Sequence, residues 1–249
     1  MKRLILSLLF LGFSIISCYG QIIDHEAKKW VERTLFHMNN ENFNRPSIKG
    51  TPFYSETFIQ GTIYSKNNEN IRGIQLNYHM VKDMFFFQRG KQIYKIENEN
   101  DIQKIKMDGT IFFNTQFINS DGETKNGFLI TLANGDCKLY KKIEKEFKEE
   151  KKSSGYDSYE RARFEEKKAK YYIKTPQMDV ARSINELWNK KIQKNIFPGK
   201  WRKKFMKSFF PNEKEKLLKL VEENNIKLTK VKGLIEFVNL YNNQTKLII

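Results

Sequence analysis

Phe128-Leu129-Ile130-Thr131-Leu132-Ala133-Asn134-Gly135-Asp136-Cys137-Lys138-Leu139-Tyr140 is the stretch that decides the class of fold. Two runs of β-type composition flank Asn134-Gly135, a pair that tolerates the positive φ angles of a tight turn, so the stretch reads as a hairpin. In that reading Ile130 and Leu132 face Cys137 and Leu139 across the ladder. Asp108-Gly109 and Asp121-Gly122 offer the same turn chemistry, and Arg89-Gly90 marks a further turn. Between them lie short β-type runs such as Phe58 to Tyr64, Ile74 to Tyr78 and Met84 to Phe87, which alternate imperfectly but persistently. Successive hairpins imply an antiparallel meander, flat or curled toward a barrel.

On either side of this region the period changes. Ile23, Ala27, Trp30, Thr34 and Met38 recur at helical spacing, with Val31 and Leu35 widening the stripe, so residues 23 to 39 are expected to form one amphipathic helix. Residues 141 to 170 are dominated by Lys and Glu and read as a long hairpin extension or a mobile linker. Tyr171-Tyr172-Ile173 looks like one more strand, ended by Thr175-Pro176. Ser183-Ile184-Asn185-Glu186 then has the form of a capping box opening a helix that Pro198-Gly199 breaks. A second short helix runs from Lys200 to Phe210, a third starts at an Asn212 N-cap and ends at Asn224-Asn225, and a last one carries Val231, Leu234, Ile235, Val238 and Tyr241. The expected class is α+β, with an N-terminal helix, an antiparallel sheet and a C-terminal helical tail.

The chain opens with Met1-Lys2-Arg3, an apolar run from Leu4 to Ile16, and then Ser17-Cys18-Tyr19-Gly20-Gln21. That order is a charged region, an apolar region and a small-residue cleavage zone, which reads as an export signal. The run is shorter than the ~20 residues a spanning helix needs, and no later segment is apolar enough, so no transmembrane span is expected after cleavage. Cleavage before Gln21 releases a soluble periplasmic or secreted chain. Ile15-Ile16-Ser17-Cys18 also has the form of a lipobox, in which Cys18 becomes a lipidated first residue and tethers the protein. Either route leaves Cys137 alone, so no disulfide staples the fold. The expected organisation is a signal peptide over 1 to 20, helix and linker over 21 to 48, the β region over 49 to 176 with its charged segment, and the tail over 177 to 249.

The chain holds 45 Lys and Arg against 29 Asp and Glu, and losing Lys2 and Arg3 takes the net charge from +16 to +14. Such a balance invites a polyanionic partner, and for an exported protein an anionic envelope surface is the relevant one rather than nucleic acid. Its abundance of Lys, Asn, Ile and Phe is also what an AT-rich genome yields without any binding role.

Lys49-Gly50-Thr51-Pro52-Phe53-Tyr54, Phe58 with Gly61-Thr62-Ile63-Tyr64, and Ile74-Gln75-Leu76-Asn77-Tyr78 ahead of Asp83-Met84-Phe85-Phe86 form a recurring pattern, with Phe210-Pro211-Asn212 and Glu236 to Asn242 at its end. It resembles that of uncharacterised exported proteins of Bacteroidota. The resemblance implies a signal peptide, a β-rich region and a short helical tail, and carries no activity with it.

Chemistry-bearing motifs are sparse. His25, His37 and His79 include no i, i+4 pair that would set two ligands on one helix face, and no metal or cofactor is expected. His79 with Asp83 is one imaginable base and orienter, against an exposed histidine beside a turn aspartate. Glu146, Glu149 and Glu150 read as a solvated face, with no apolar pocket to raise one of their pKa values. No phosphate loop or nucleophile elbow occurs in a suitable context. Cys137 reads as a small buried residue. The adjacent aromatics Phe85-Phe86-Phe87, Phe112-Phe113 and Tyr171-Tyr172 place rings on both faces of some strands, and the second face is either a partner surface or is covered. In Trp201 to Phe210, Trp201, Phe205 and Phe209 share one helical stripe. The candidate binding residues are Trp201, Arg202, Lys203, Lys204 and Lys207, with the aromatic stripe as core the competing reading. The leading expectation is a non-enzymatic envelope protein that binds another envelope component, a protein or an anionic surface, through the sheet face or the basic tail. An enzyme acting on cell-surface glycans is the runner-up.

Overall fold

A computed structural model describes residues 35–37, 48–97, 99–119, 121–151, 159–185 and 198–246. The expected signal sequence, Cys18 and residues 23–34 and 38–39 of the expected helix lie outside them. The strands are β1 (Leu35–His37), β2 (Ile59–Ser65), β3 (Asn70–His79), β4 (Met84–Arg89), β5 (Gln92–Ile96), β6 (Ile102–Met107), β7 (Thr110–Ile118), β8 (Thr124–Ala133), β9 (Lys138–Lys142), β10 (Lys145–Lys148), β11 (Arg163–Glu166), β12 (Lys170–Lys174) and β13 (Arg182–Ser183). Eleven of them make one antiparallel sheet in the order β1-β5-β4-β3-β2-β6-β7-β8-β9-β12-β13, while β10 and β11 pair as a separate ribbon.

Turn chemistry builds this order. Asp108 and Gly109 both sit at positive φ, 47° and 68°, between β6 and β7, and Asn68, Asp83 and Gly90 reverse the chain earlier in the same way. The result is two meanders, β2 to β5 and β6 to β9, joined where β6 lies beside β2. A short 3-10 turn, Glu99–Asp101, carries the crossover between them. Phe128 to Tyr140 is a hairpin as expected, but its register differs: Thr131 pairs with Tyr140 and Ala133 with Leu139, the shift between them leaving Leu132 as an extra residue.

The sheet is strongly curled. Phe85 on β4 and Phe128 on β8 have four strands between them, which in a flat sheet would hold them about 24 Å apart at ~4.8 Å per strand. Their ring centroids are 4.8 Å apart. The concave side buries Ile63, Leu76, Tyr78, Phe85, Ile105, Phe112 and Phe128 in one cluster. The edge strands β1 and β13 do not pair with each other, so the sheet stays open and is not a barrel.

Among the described residues three helices follow: α1 (Pro198–Phe209), α2 (Lys214–Glu223) and α3 (Val231–Lys246). Their apolar stripes converge with Cys137, Leu139 and Ile173 of the sheet in a second large cluster, so tail and sheet share a core. Asn242 secures the junction, its side-chain amide donating to the Cys137 carbonyl at 2.9 Å and accepting from the Cys137 N–H at 2.8 Å.

Several expectations are corrected. Residues 35–37 pair with β5, so the helical spacing expected over 23 to 39 gives way, at these three residues, to the hydrogen bonds an open sheet edge offers. Ser183 lies in β13, which carries the sheet past the boundary expected at 176, and its hydroxyl accepts from the Asn185 N–H at 3.1 Å, while Glu186 of the expected capping box lies outside the described residues. Residues 186–197 lie outside the described set. Pro198 opens α1, two residues before the start expected at Lys200, consistent with its tolerance at the first helical position. Asn212 sits within a 3-10 turn, Pro211–Glu213, and Glu213 precedes α2 without a side-chain cap. The Lys/Glu-rich segment takes the hairpin form, with Lys145 to Lys148 against Arg163 to Glu166.

Candidate functional site

α1 presents the charge pattern that the tail hinted at, in a sharper form. Trp201, Phe205, Met206 and Phe209 are 0–4% exposed and face the shared core, with the Trp201 and Phe205 rings stacked at 5.5 Å. Lys200, Lys203, Lys204 and Lys207 stand at i, i+3, i+4 and i+7, which sets them on one stripe of the opposite face, and all four are exposed. None of the four pairs with a carboxylate among the described residues. Of the candidate binding residues, Trp201 is therefore core, Arg202 lies at the margin 3.9 Å from Glu222, and the lysines form the surface. Lys200, which the sequence reading left out, belongs with them, and the i, i+3, i+4, i+7 spacing is the signal that could have found it. From residue 198 to 246 the chain carries 12 Lys and Arg against 5 Asp and Glu.

Burial of the rings has a chemical consequence. A helix that inserts among acyl chains does so with its apolar face, and here that face is spent on the protein core. What remains is charge at a water boundary, suited to phosphate or carboxylate groups on an opposing surface.

The second constellation sits where the two meanders meet. Lys142 is 3% exposed, and its ammonium donates to Asp83, to the Tyr78 hydroxyl at 3.2 Å and to the Phe128 carbonyl at 3.1 Å. Tyr78 in turn donates to Asp83. Burial, then the Asp83 charge, push the Tyr78 phenol well above its ordinary pKa, so it is held protonated as that bond requires. Gly127 leaves the space: a Cβ there would stand 2.9 Å from Asp83 Oδ2. With all three ammonium protons occupied, the cluster behaves as a polar pin across the curled sheet rather than as a poised base. Lysine-rich composition hid Lys142, since nothing in the sequence separates it from its solvated neighbours.

His79 and Asp83 do not assemble as a pair. His79 is buried, not exposed, with its Nδ1 accepting from the Lys82 N–H at 3.1 Å and its ring packed 5.0 Å from Phe53 and 5.6 Å from Phe86. Phe53 belongs to the segment 51–58, which covers this second face of β3 and β4, so Phe86 meets protein there and not a partner. Asn77 holds the cover down, donating to the Ser55 and Thr57 carbonyls at 2.8 and 3.1 Å. Lys145 adds bonds to the Thr51 and Phe53 carbonyls at 3.0 and 2.7 Å. Cys137 is fully buried, and burial pushes its thiol up to about 12, leaving it unreactive at neutral pH.

Glu99 lies on the crossover, accepting from the Phe85 N–H at 3.3 Å, while Asn114 donates to its carbonyl at 2.6 Å. Burial raises its carboxyl from the ordinary 4.5 to about 7. Between those values the unfolded chain has released the proton and the folded chain has kept it, so this group lowers stability as pH rises from 4.5 to 7 and adds no further change above. Glu99→Gln keeps the acceptor and removes the charge. The variant should gain on the parent by up to about 3 kcal/mol between pH 4 and pH 8, at roughly 1.4 kcal/mol per unit. Urea unfolding at the two pH values measures this, and a constant difference would place the charge in solvent.

Among the described residues, no group of three His, Cys, Asp or Glu side chains is placed to hold a metal ion, and no helix is long and apolar enough to cross a membrane. Comparison with protein-family models, curated proteins and solved structures finds no match.

Proposed function

We propose that the chain is an exported, non-enzymatic envelope protein that associates with an anionic envelope surface through the lysine face of α1. The observation that carries this reading is the alignment of Lys200, Lys203, Lys204 and Lys207 on one exposed stripe of a helix whose aromatic side is already buried. The order of charged, apolar and small residues over 1 to 21 supports export, and the net charge supports an anionic counterpart. Association of this kind is peripheral and sensitive to salt, because exposed charges are screened within about 8 Å at physiological ionic strength.

Replacing the four lysines by Glu in the full chain tests the reading by envelope sedimentation at low salt. Each lysine near an anionic surface is worth about 1 kcal/mol. Losing four lowers the bound-to-free ratio by roughly a thousandfold before any repulsion is counted. Sedimentation of the variant at the level of the parent would remove α1 as the contact.

A further inference from the structure

The convex face of the sheet carries a second basic surface, remote in sequence from α1. Register places Arg72, Thr62, Lys106 and Ile111 in one row across β3, β2, β6 and β7, and Asn70, Tyr64, Lys104 and Phe113 in the next. Neither row contains an acid. The alternate residues Ile63, Ile71, Ile105 and Phe112 are 0–8% exposed on the concave side, so the platform is rigid, whereas every residue of the two rows is half-buried or exposed. Lys104 Nζ lies 4.7 Å from the Tyr64 ring centroid, and Lys138, from β9, places its ammonium 5.5 Å from the Phe113 ring. Arg72, Lys104, Lys106 and Lys138 pair with no carboxylate among the described residues.

We infer that this face binds an anionic polysaccharide, a chain of sugars bearing carboxylate or phosphate groups. Four strands at ~4.8 Å spacing give a platform about 14 Å across from β3 to β7, open rather than grooved, which suits an extended polymer. The half-exposed rings offer apolar surface to the C–H faces of sugars. Thr62 and Asn70 offer hydrogen bonds to hydroxyls, and the guanidinium and ammonium groups take the anionic substituents through charge-assisted bonds. The inference does not depend on α1: a chain can meet a membrane with its tail and a glycan with its sheet.

Affinity electrophoresis of the full chain through gels containing alginate, a polyuronate, or dextran, a neutral glucan, tests it. Retardation by alginate and not by dextran is the expected result. Replacing Lys104 and Lys106 by Ser should weaken the alginate interaction about tenfold or more, the worth of one charge-assisted hydrogen bond. Tyr64→Leu, which keeps apolar bulk but loses the ring, should weaken it too. A control with Lys216 and Lys219 of α2 replaced by Ser carries the same net charge and should bind as the parent does. Equal loss in the α2 control would reduce the effect to bulk charge and overturn the inference. Equal retardation by dextran, absence of retardation, loss with the α1 variant alone, or tighter binding to a single-stranded oligothymidylate than to alginate would each overturn it as well. Repeating the α1 sedimentation with vesicles of anionic phospholipid, which carry no polysaccharide, keeps that result independent of the sheet, so the two readings fail separately.

Discussion

Asp83→Ala is expected to lower stability by about 3–5 kcal/mol, because it strands the Lys142 ammonium at 3% exposure without its counter-ion. The cost is asymmetric. Asp83 itself is 36% exposed, so water can solvate it when its partner is removed, and Lys142→Met should cost less despite deleting the same ion pair. Part of the Asp83→Ala effect is conformational, since Asp83 sits at φ 56°, a region Ala enters less readily than Asp. Asp83→Asn tolerates that φ and retains an acceptor, isolating the charge. Equilibrium urea unfolding of the three variants gives the order Asp83→Ala, then Asp83→Asn, then Lys142→Met. If Lys142→Met proved the most damaging, the cluster would be holding Asp83 and not the lysine.

Removal of the Asn242 side chain is expected to cost about 2–6 kcal/mol, since it orphans both the N–H and the carbonyl of Cys137 in a buried position, at about 1–3 kcal/mol for each. The clamp also explains Gly135, where a Cβ would lie 2.5 Å from Asn242 Cγ. Gly135→Ala should therefore be destabilising in the parent and less so in an Asn242→Ala background, because the obstructing amide is gone while the strain at φ 159° stays. The double-mutant cycle should return a coupling well above the few tenths of a kcal/mol seen between independent sites. An additive pair would mean that Gly135 serves its turn alone.

The two effects act on the same architectural problem. Lys142 joins the meanders across the curl of the sheet, and Asn242 joins the sheet to the tail, each with a polar side chain whose bonds are satisfied only when distant segments meet. Long-range contacts of this kind leave no periodic trace. Asn242 reads in sequence as one polar position in a helix, and Lys142 as one of many lysines. The lysine face of α1 is the opposite case, because four residues at i, i+3, i+4 and i+7 are neighbours by helix geometry alone. The basic rows on the convex sheet fall between: alternation marks Tyr64, Lys104 and Lys106 as sharing the polar side of their strands, while only register brings them together.

What the sequence by itself determined was local: turn residues able to take positive φ at Asp108-Gly109 and around Asn134-Gly135, the alternation of the strands between them, and the amphipathic stripes of α1 and α3. These rest on interactions within a few residues, so composition and spacing carry them. Tertiary structure decided the rest. It set residues 35–37 as an edge strand, shifted the hairpin register by one residue after Thr131, drew Ser183 into β13, covered Phe86 with residues 51–58, and curled the sheet until Phe85 met Phe128. Each of those outcomes depends on which apolar surface and which open hydrogen-bonding edge another part of the chain presents, and that is a property of the assembled fold.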